Sequence, residues 1–462
     1  MCYAIVVMSE TLDYCIAAGK PMVSRSACNR RFFVTINIHM KKGERIMSKQ
    51  SGKDMSRRDF AKASALAAGF AVLSGKSGVA ADNVDTLKVG LIGCGGRGGG
   101  AAINCLTGND NVKLVAMADV FEDTLVNKRR EIENNEDPRV KPKVDIQDEY
   151  CFHGLDAYQR LLETDVDIVL HATPPYCRPM HFEAIVAAGK HVFMEKPFAV
   201  DSVGVRRCIA ASNEAAEKGL SIISGTQRRH QTSYMETVKQ LQDGAKGEIL
   251  AARAYWNGTL PFSHERKPEW NDLEYRLRNW YNTIWTCGDN IVEQHMHNID
   301  VINWVLDAHP VKVVASGGRA WKPLEERYGD LWDNFTCDFE YENGVHMLSM
   351  SRHWRNSKNA VFEEVTGTEG KSSCRDMGRD RSDPYVNEII ALVESIRGER
   401  PYVNEGVQTS ESTLTAIMGR MAAYTGQEVT WDDALNADED LVPAVLDFDH
   451  EYPVGPIPEP GA

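Results

Sequence analysis

The chain has 462 residues, of which 43% are hydrophobic and 26% are charged, and its formal net charge is −14. This composition is ordinary for a soluble globular protein, and the length favours two domains over a single core. The negative charge excludes nucleic acid and anionic membranes as expected partners, because both require a basic surface, and it leaves a small molecule as the expected ligand.

Residues 56–75, SRRDFAKASALAAGFAVLSG, have the layout of a cleavable export signal. Two arginines precede an Ala-rich run that is too short for a stable membrane anchor, and small residues follow it. The stretch SRRDFAK resembles the bacterial twin-arginine signal, although an accidental leader is the alternative. We therefore expect a signal peptide at 47–81, a periplasmic or otherwise exported protein, and no stable membrane insertion. Residues 1–46 have no clear pattern and are expected to be a non-native or disordered extension.

Eight of the 11 cysteines lie beyond the predicted signal, and none belongs to a Cys-x-x-Cys pair. This spacing disfavours zinc-knuckle and redox motifs. Several of these cysteines stand in apolar surroundings, so we expect buried thiols.

A glycine-rich loop follows the first predicted strand, at residues 89–92, and opens an Ala-rich helix. Gly93, Gly95 and Gly98 have the spacing that permits a tight turn, close approach to a pyrophosphate and close helix–strand packing. The helix N-terminus offers free N–H groups to the phosphates. The next strand ends at Asp119, which is placed to bind ribose hydroxyls, so NAD is favoured over NADP. Gly96 and Arg97 belong to the same candidate cofactor loop.

Helices and apolar strands alternate over the following residues, at 157–162, 166–172, 181–188 and 191–195. This alternation predicts an α/β fold with a doubly wound parallel sheet. Ligands of such sheets lie outside the carboxyl ends of the strands, which draws attention to Thr173-Pro174 and Glu195-Lys196-Pro197. Lys196 there could stabilise an alkoxide or shuttle its proton, or be an ordinary surface lysine.

The glycine loop, Thr173-Pro174 with His181, and Glu195-Lys196-Pro197, in this order, resemble the Gfo/Idh/MocA oxidoreductase family from Leu87 to at least Thr430. The resemblance implies an N-terminal Rossmann domain and action on sugars, cyclitols or their derivatives with NAD or NADP. It does not identify the substrate.

The family also carries an Asp-x-x-x-His motif on a helix of the second domain. Here Glu293 stands where the family usually has Asp, and His297 matches the catalytic histidine. His297 would take the proton of a substrate hydroxyl, Lys196 would hold the developing oxygen charge, and Glu293 would bind a neighbouring hydroxyl or orient the histidine. Two alternatives stay open: Glu293, His295 and His297 as metal ligands, or as polar residues that cap a core helix. We expect no metal.

The pattern changes after about residue 221, where strands and an Asn-Gly hairpin signal at 343–344 predict an open, mostly antiparallel sheet packed by helices at 385–397 and 409–424. The family implies a homodimer or homotetramer for such a domain. We expect a Rossmann domain at 82–210, a C-terminal α+β substrate-binding domain at 211–445 and an extended tail at 446–462.

Aromatic residues of the second half could stack on a sugar or simply be core: Trp256, Trp280, Tyr281 and Trp285. Gln227, in a segment after a strand, is a candidate at the cofactor–substrate boundary. We therefore expect an exported, NAD-dependent oxidoreductase with a tightly held cofactor and a carbohydrate-like substrate. Its alternatives are an NAD-dependent glycoside hydrolase that uses a transient ketone and a non-catalytic dinucleotide sensor. The predicted catalytic residues are Lys196, His297 and Glu293, and the predicted cofactor-binding residues are Gly93, Gly95, Gly96, Arg97, Gly98, Asp119, Thr173, Pro174, His181, Glu195, Lys196 and Gln227.

Overall fold

The computed structural model of the protein describes residues 85–461, and residues 81–462 form one compact unit. The predicted extension at 1–46 and the predicted signal peptide at 47–81 lie outside the described residues. Within the described part of the chain, no helix has the length and hydropathy of a membrane span.

A six-stranded parallel sheet forms the first half, in the order β3-β2-β1-β4-β5-β6. Its strands are short and apolar because helices cover both faces. The order reverses between β1 and β4, and this is where such sheets open a crevice for ligands. The strands are β1 Leu87–Ile92, β2 Val112–Asp119, β3 Cys151–His153, β4 Ile168–His171, β5 His191–Met194 and β6 Ile222–Ser224.

The helices of this half fall on opposite faces of the sheet. Residues of α1 and the later α10 pack in one apolar cluster with the strands, and residues of α3, α4 and α5 pack in another. The helices are α1 Gly96–Gly108, α2 Glu122–Glu133, α3 Ala157–Leu162, α4 Arg178–Ala187 and α5 Ser202–Glu217. The predicted doubly wound sheet is confirmed. Strand β6 lies beyond residue 210, and the domain boundary placed there stays a prediction.

A seven-stranded mixed sheet forms the second half, in the order β12-β11-β7-β10-β9-β8-β13. Only β7 and β10 run parallel among its paired strands, so the predicted, mostly antiparallel sheet is confirmed. Gly344, with φ +79°, closes the predicted hairpin between β9 and β10. The strands are β7 Ile249–Gly258, β8 Pro310–Gly318, β9 Asn334–Tyr341, β10 His346–His353, β11 Ala360–Gly367, β12 Gly370–Ser372 and β13 Val429–Thr430.

One face of the mixed sheet is buried by α9 and α11, and alternate strand residues such as Phe335, Cys337 and Phe339 point into this core. The α-helices described in the second half are α6 Thr232–Gln242, α7 Asp272–Arg278, α8 Ile284–Cys287, α9 Met296–Leu306, α10 Pro384–Arg397, α11 Gly406–Thr425 and α12 Trp431–Asn436.

Two irregular segments matter for the site. A π-helical turn, Ile291–His295, leads directly into α9. After α12 the chain has no further helix or strand within the described residues, yet Tyr452 of this tail is only 5% exposed. This part of the tail therefore packs against the molecule, and the extended arm predicted at 446–462 stays a prediction.

All eight described cysteines are free thiols, and seven of them are buried. This agrees with the buried thiols expected from their apolar sequence surroundings.

Candidate functional site

A cavity of about 1110 Å³ lies at the carboxyl edge of the parallel sheet, between that sheet and the second half of the chain. Every predicted catalytic and cofactor-binding residue except Gly98 lines it. Residues from α7, from the segment at 262–280 and from the tail at 440–446 form the rest of the wall. The cavity is large enough for a small-molecule ligand of the usual size range.

The glycine loop leaves room for a phosphate-bearing ligand. Gly93 has φ +93°, and a Cβ there would meet the backbone of Ala172 at 2.8 Å. A Cβ at Gly98 would overlap the carbonyl oxygen of Gly93, so Gly98 serves the close packing of α1 on β1 and not the cavity wall. A Cβ at Gly95 or Gly96 would meet nothing within 4 Å, and these two positions border open space at the N-terminus of α1. This cradle fits a pyrophosphate.

Asp119 ends β2 beside this loop. Its carboxylate accepts hydrogen bonds from the N–H groups of Cys94 at 2.7 Å and Phe121 at 2.9 Å, which fix its orientation. Burial raises the pKa of Asp119 above its usual value, and the two N–H bonds oppose that shift. An acceptor at this place suits ribose hydroxyls and disfavours a 2′-phosphate.

Arg178 ties together the two strand-end loops that the sequence singled out. Its Nε and Nη2 donate to the carbonyl of Thr173 at 3.0 and 2.5 Å, and its Nη1 donates to the carbonyl of Pro197 at 2.5 Å. The side chain is buried, and desolvation lowers its pKa. Arg178 was not predicted from the sequence. The available signal was an arginine at the start of a mostly apolar helix.

His181 lines the cavity as a neutral, tightly packed ring. Its Nδ1 lies 3.0 Å from Nε2 of His171, and its ring stacks on Tyr158 with centroids 3.8 Å apart. Burial lowers the pKa of His181 to about 3. The residue can therefore shape the cofactor pocket without adding charge.

Lys196, Glu293 and His297 meet at one wall of the cavity. The ammonium of Lys196 donates to the backbone oxygen of Glu293 at 2.6 Å and to its Oε1 at 3.0 Å. Both side chains are about one-tenth exposed, 11% and 9%. The carboxylate of Glu293 thus holds Lys196, whereas the sequence analysis assigned it to a hydroxyl or to His297.

The π-helical turn explains this arrangement. In a regular α-helix with 3.6 residues per turn, Glu293 and His297 would lie on one face, and the π-helical turn at Ile291–His295 changes that spacing. His297 instead stacks on Trp256, with ring centroids 6.0 Å apart. Burial, then the charges of Lys196 and Arg228, lower the pKa of His297 well below its usual value. The ring is therefore neutral near pH 7 and can accept a proton.

The metal alternative requires Glu293, His295 and His297 to face one site. His295 points away from this wall, and its Nε2 lies 2.7 Å from the hydroxyl of Ser349 in the core. Among residues 85–461, no three His, Cys, Asp or Glu side chains are grouped so as to hold a metal ion.

Arg97 joins the glycine loop to two carboxyl groups. Its Nε donates to Glu195 at 2.5 Å, its Nη2 donates to Glu388 of α10 at 3.0 Å, and its guanidinium lies 4.6 Å from the ring centre of Tyr385. Glu388 is fully buried, and its pKa is raised well above the usual value by desolvation and by the charge of Glu195. Sequence analysis missed Glu388 and Tyr385, since nothing in the sequence indicates that α10 reaches the glycine loop.

The remaining candidate residues lie either on the cavity wall or in the core of the protein. Gln227 lines the cavity and donates to the hydroxyl of Tyr385 at 3.2 Å. Of the four aromatic candidates, Trp280 lines the cavity, Tyr281 is buried and Trp256 stacks on His297. The fourth, Trp285, packs against Tyr176 and Tyr452 outside the cavity wall. The aromatic wall also contains Phe262, His264 and Trp270.

Comparison with known protein families gives two adjacent matches. Residues 87–226 match the Gfo/Idh/MocA model of an oxidoreductase family with an NAD-binding Rossmann fold, and residues 234–373 match the Gfo/Idh/MocA C-terminal domain.

Curated relatives are distant. An inositol 2-dehydrogenase of Rhizobium meliloti is 25% identical over 248 residues, which are 54% of this chain and 62% of the relative. A glycosyl hydrolase family 109 protein 2 of Shewanella sp. (strain ANA-3) is 30% identical over 244 residues, 48% of this chain and 49% of the relative. The chain thus spans about half to three-fifths of the length of these relatives.

Solved structures share the fold at lower identity. The scyllo-inositol dehydrogenase from Lactobacillus casei with bound NAD(H) and scyllo-inositol superposes with a TM-score of 0.58 at 20% identity, over 75% of this chain and 100% of that one. The aldose-aldose oxidoreductase from Caulobacter crescentus complexed with glycerol gives 0.56 at 18% identity, over 75% and 99%.

Proposed function

The chain belongs to the Gfo/Idh/MocA family of oxidoreductases, whose N-terminal domain is an NAD-binding Rossmann fold, and from this premise we propose that it moves hydride between a sugar, cyclitol or glycoside hydroxyl and a tightly bound NAD. One observation carries the proposal. Lys196, Glu293 and His297 converge on the wall of a cavity whose other end is the glycine cradle with Asp119. The catalytic groups therefore lie where a dinucleotide held by the cradle would present its far end.

Each side chain has a distinct task. Bound NAD supplies an acceptor for the hydrogen and electron pair that leave the carbon of the alcohol. The neutral ring of His297 takes the hydroxyl proton, so the alcohol becomes a carbonyl with no charge left on oxygen. The ammonium of Lys196 stabilises the oxygen while its charge develops. Glu293 fixes that ammonium through its 3.0 Å ion pair.

The charges around the cavity suit a neutral, hydroxyl-rich substrate. Lys196 is paired with Glu293, and Arg97 is paired with Glu195, so neither cation is free to bind a phosphate or carboxylate of the substrate. The aromatic wall formed by Phe262, Trp270 and Trp280 offers ring faces for the C–H groups of a sugar.

If the protein is exported, it has to retain its cofactor. The twin-arginine-like stretch SRRDFAK supports export of a folded protein, and free dinucleotide is scarce outside the cytosol. An exported enzyme of this kind has to carry NAD with it and restore it within each cycle. Oxidation followed by re-reduction of one substrate, or transfer of hydride to a second sugar, would do so.

Subunit association is a further proposal. Val314 and Leu348 are exposed apolar side chains on strands β8 and β10, and their neighbours Val313 and Met347 point to the opposite, buried face. An open sheet face of this kind supports a homodimer or homotetramer. Light scattering of the purified protein tests it, and a monomer at all concentrations contradicts it.

The decisive experiment on the function uses protein expressed from about Asp82 and purified without added nucleotide. Denaturation and mass spectrometry should release NAD(H) in stoichiometric amount. Lys196→Ala and His297→Ala should each lower kcat about 10²- to 10⁴-fold on the sugar or cyclitol found by screening, with the NAD content of the His297→Ala protein unchanged. A protein that binds NAD but has no rate to lose would be a sensor and would contradict the enzymatic proposal.

Glycoside cleavage through a transient ketone is a second candidate. In this reaction one substrate is oxidised and then reduced again, so the cofactor returns to its starting form. A cofactor that stays bound to the protein has to be restored in this way. The similarity to a glycosyl hydrolase family 109 protein supports testing it. This reaction would release a sugar from a chromogenic glycoside without net change in the absorbance of NADH, whereas a dehydrogenase would change that absorbance.

A further inference from the structure

We propose that residues 438–452, here called the strap, form the outer wall of the adenosine half of the cavity and keep the nucleotide from exchanging between turnovers. This inference rests on the NAD site of the proposed function and extends it to a segment outside both family matches, which end at residue 373. Four observations support it. They are the position of the strap at the cavity, the hydrogen bonds that hold each of its two ends (the two anchors), and an ion pair of α7 that closes the same side of the cavity (the clamp).

The middle of the strap lines the cavity. Asp440, Val442, Pro443, Ala444 and Leu446 all border it. Val442 and Leu446 also pack in an apolar cluster with Phe121 and Leu155. Phe121 follows Asp119 by two residues, so this cluster lies beside the group expected to hold the adenosine ribose. An apolar wall at this place suits the face of an adenine ring.

The first anchor holds the start of the strap to α5. The N–H of Leu441 donates to Oδ2 of Asp201 at 2.9 Å, while Oδ1 of the same carboxylate caps α5 by accepting from Gly204 at 2.7 Å. Just before the strap, Nη1 of Arg206 donates to the carbonyls of Leu435 and Ala437 at 2.6 and 2.7 Å. Asp201 is buried, so this end is fixed to the first half of the chain.

The second anchor holds the end of the strap to α7. The carbonyl of Tyr452 accepts from Nε of Arg276 at 3.0 Å, and its N–H donates to Asp272 at 3.0 Å. The hydroxyl of Tyr452 accepts from the N–H of Asp447 at 2.9 Å and donates to the carbonyl of Val445 at 2.8 Å. The strap is therefore tied at both ends and braced within itself, with the cavity under its middle.

A clamp on α7 closes the same side of the cavity. Arg278 forms an ion pair with Asp123 at 2.9 Å, and its guanidinium lies 3.9 Å from the ring centre of Phe121. These contacts join α7 to the residues that follow β2. Because α7 also holds the end of the strap, release of the adenosine half requires several contacts to break together. Such concerted opening is slow compared with the motion of a free loop.

Nucleotide exchange tests this directly and needs no substrate. Protein purified with its NAD is mixed with an excess of isotopically labelled NAD, and the ratio of the two nucleotides released on denaturation is measured over time by mass spectrometry. In the native protein we expect exchange to be slower than catalytic turnover. Tyr452→Phe, which removes the internal brace, and Leu446→Ser, which weakens the wall, should each speed exchange at least tenfold.

Val445→Ser is the matched control. Val445 lies in the same strap but its side chain is 65% exposed, so this variant should exchange at the native rate. Circular dichroism and thermal unfolding establish that each variant is folded. If Leu446→Ser does not fold, Tyr452→Phe alone carries the test, because it keeps the buried ring.

Three results would overturn the proposal: purification of the protein without nucleotide, native exchange faster than turnover, or equal rates in the native protein and Tyr452→Phe. Failure of the proposed activity gives a different result. A catalytically dead His297→Ala protein should still exchange slowly, and an active enzyme with rapid exchange would contradict the strap alone.

Discussion

At the scale of single residues, the surroundings of His297 determine the pH range in which it can accept a proton. Burial and the positive charges of Lys196 and Arg228 lower the pKa of His297, so the ring becomes protonated only below its ordinary value of about 6.5. Because the neutral form accepts the proton, activity should persist as the pH falls through that value.

We therefore expect the acid limb of the kcat/KM profile for alcohol oxidation to lie below pH 6.5. Arg228→Gln removes one of the cations and should move this limb to higher pH. Arg253→Gln removes an arginine of β7 whose charge does not contribute to the pKa shift of His297, and it should leave the limb in place. A limb at or above pH 6.5 in the native enzyme would contradict this account.

The glycine loop yields a second prediction at this scale. Gly98→Ala places a methyl group against the carbonyl of Gly93 and should cost about 2–4 kcal/mol of unfolding free energy. Gly100→Ala, two residues along the same helix, meets only Arg97, at 3.6 Å, and should stabilise the protein by about 0.5–1 kcal/mol through helix propensity. Urea unfolding of both variants measures the difference, and equal effects would refute the packing role of Gly98.

Individual site residues were predictable when a local pattern marked them. Gly93, Asp119 and Lys196 follow strands, and the carboxyl ends of parallel strands determine where they lie. Arg178 and Glu388 were not predictable, because their importance comes from contacts with residues far away in the chain. The partner of Glu293 also could not be foreseen, since a π-helical turn depends on tertiary packing.

At the scale of elements, α10 reaches across the molecule to the glycine loop. Glu388 accepts a hydrogen bond from Arg97 in a fully buried position, and desolvation together with the charge of Glu195 raises its pKa well above the usual value. This shift favours the neutral carboxyl group, which an amide of the same shape mimics.

Glu388→Gln should therefore change the unfolding free energy at pH 7 by less than about 1 kcal/mol. Glu388→Ala should cost about 2–4 kcal/mol, because it leaves a cavity and removes a partner of Arg97. Urea unfolding at pH 7 compares the two variants. A large loss in the Gln variant would mean that Glu388 is ionised in the native protein.

Most elements followed from sequence periodicity. Short apolar runs gave the parallel strands, and the Asn343-Gly344 pair marked the hairpin between β9 and β10. The path of the tail after α12 could not be predicted from the sequence, because this segment has no periodicity. Its position is fixed by single contacts such as that between Tyr452 and Arg276.

At the scale of the whole molecule, buried neutral histidines make stability depend on pH. Burial lowers the pKa of His181, His295 and His353 to about 3 each. Between pH 6.5 and 3 these histidines bind protons in the unfolded chain but not in the native protein. The unfolding free energy therefore falls as the pH falls. Asp330, whose pKa burial raises to about 6, opposes this trend below pH 6.

Between pH 7.5 and 5.5 we expect each of the three histidines to cost about 1.4 kcal/mol and Asp330 to return a little under 1 kcal/mol, so these four groups together lower the unfolding free energy by about 3 kcal/mol. Urea unfolding of the native protein and of His353→Gln at the two pH values measures the share of one histidine. His353→Gln should reduce the loss by about 1.4 kcal/mol, whereas equal stability of the native protein at both pH values would contradict the assignment of neutral histidines.

The position of the strap in the chain has a consequence for biosynthesis. Residues 438–452 are synthesised after both sheets and the glycine cradle, so we expect the cavity to form before its outer wall closes over it. We expect NAD to enter during this interval, which links the loaded fraction to the nucleotide supply at the place and moment of translation. A molecule that closes before it is loaded would fill only slowly afterwards, and cells short of NAD would accumulate protein that is folded and inert.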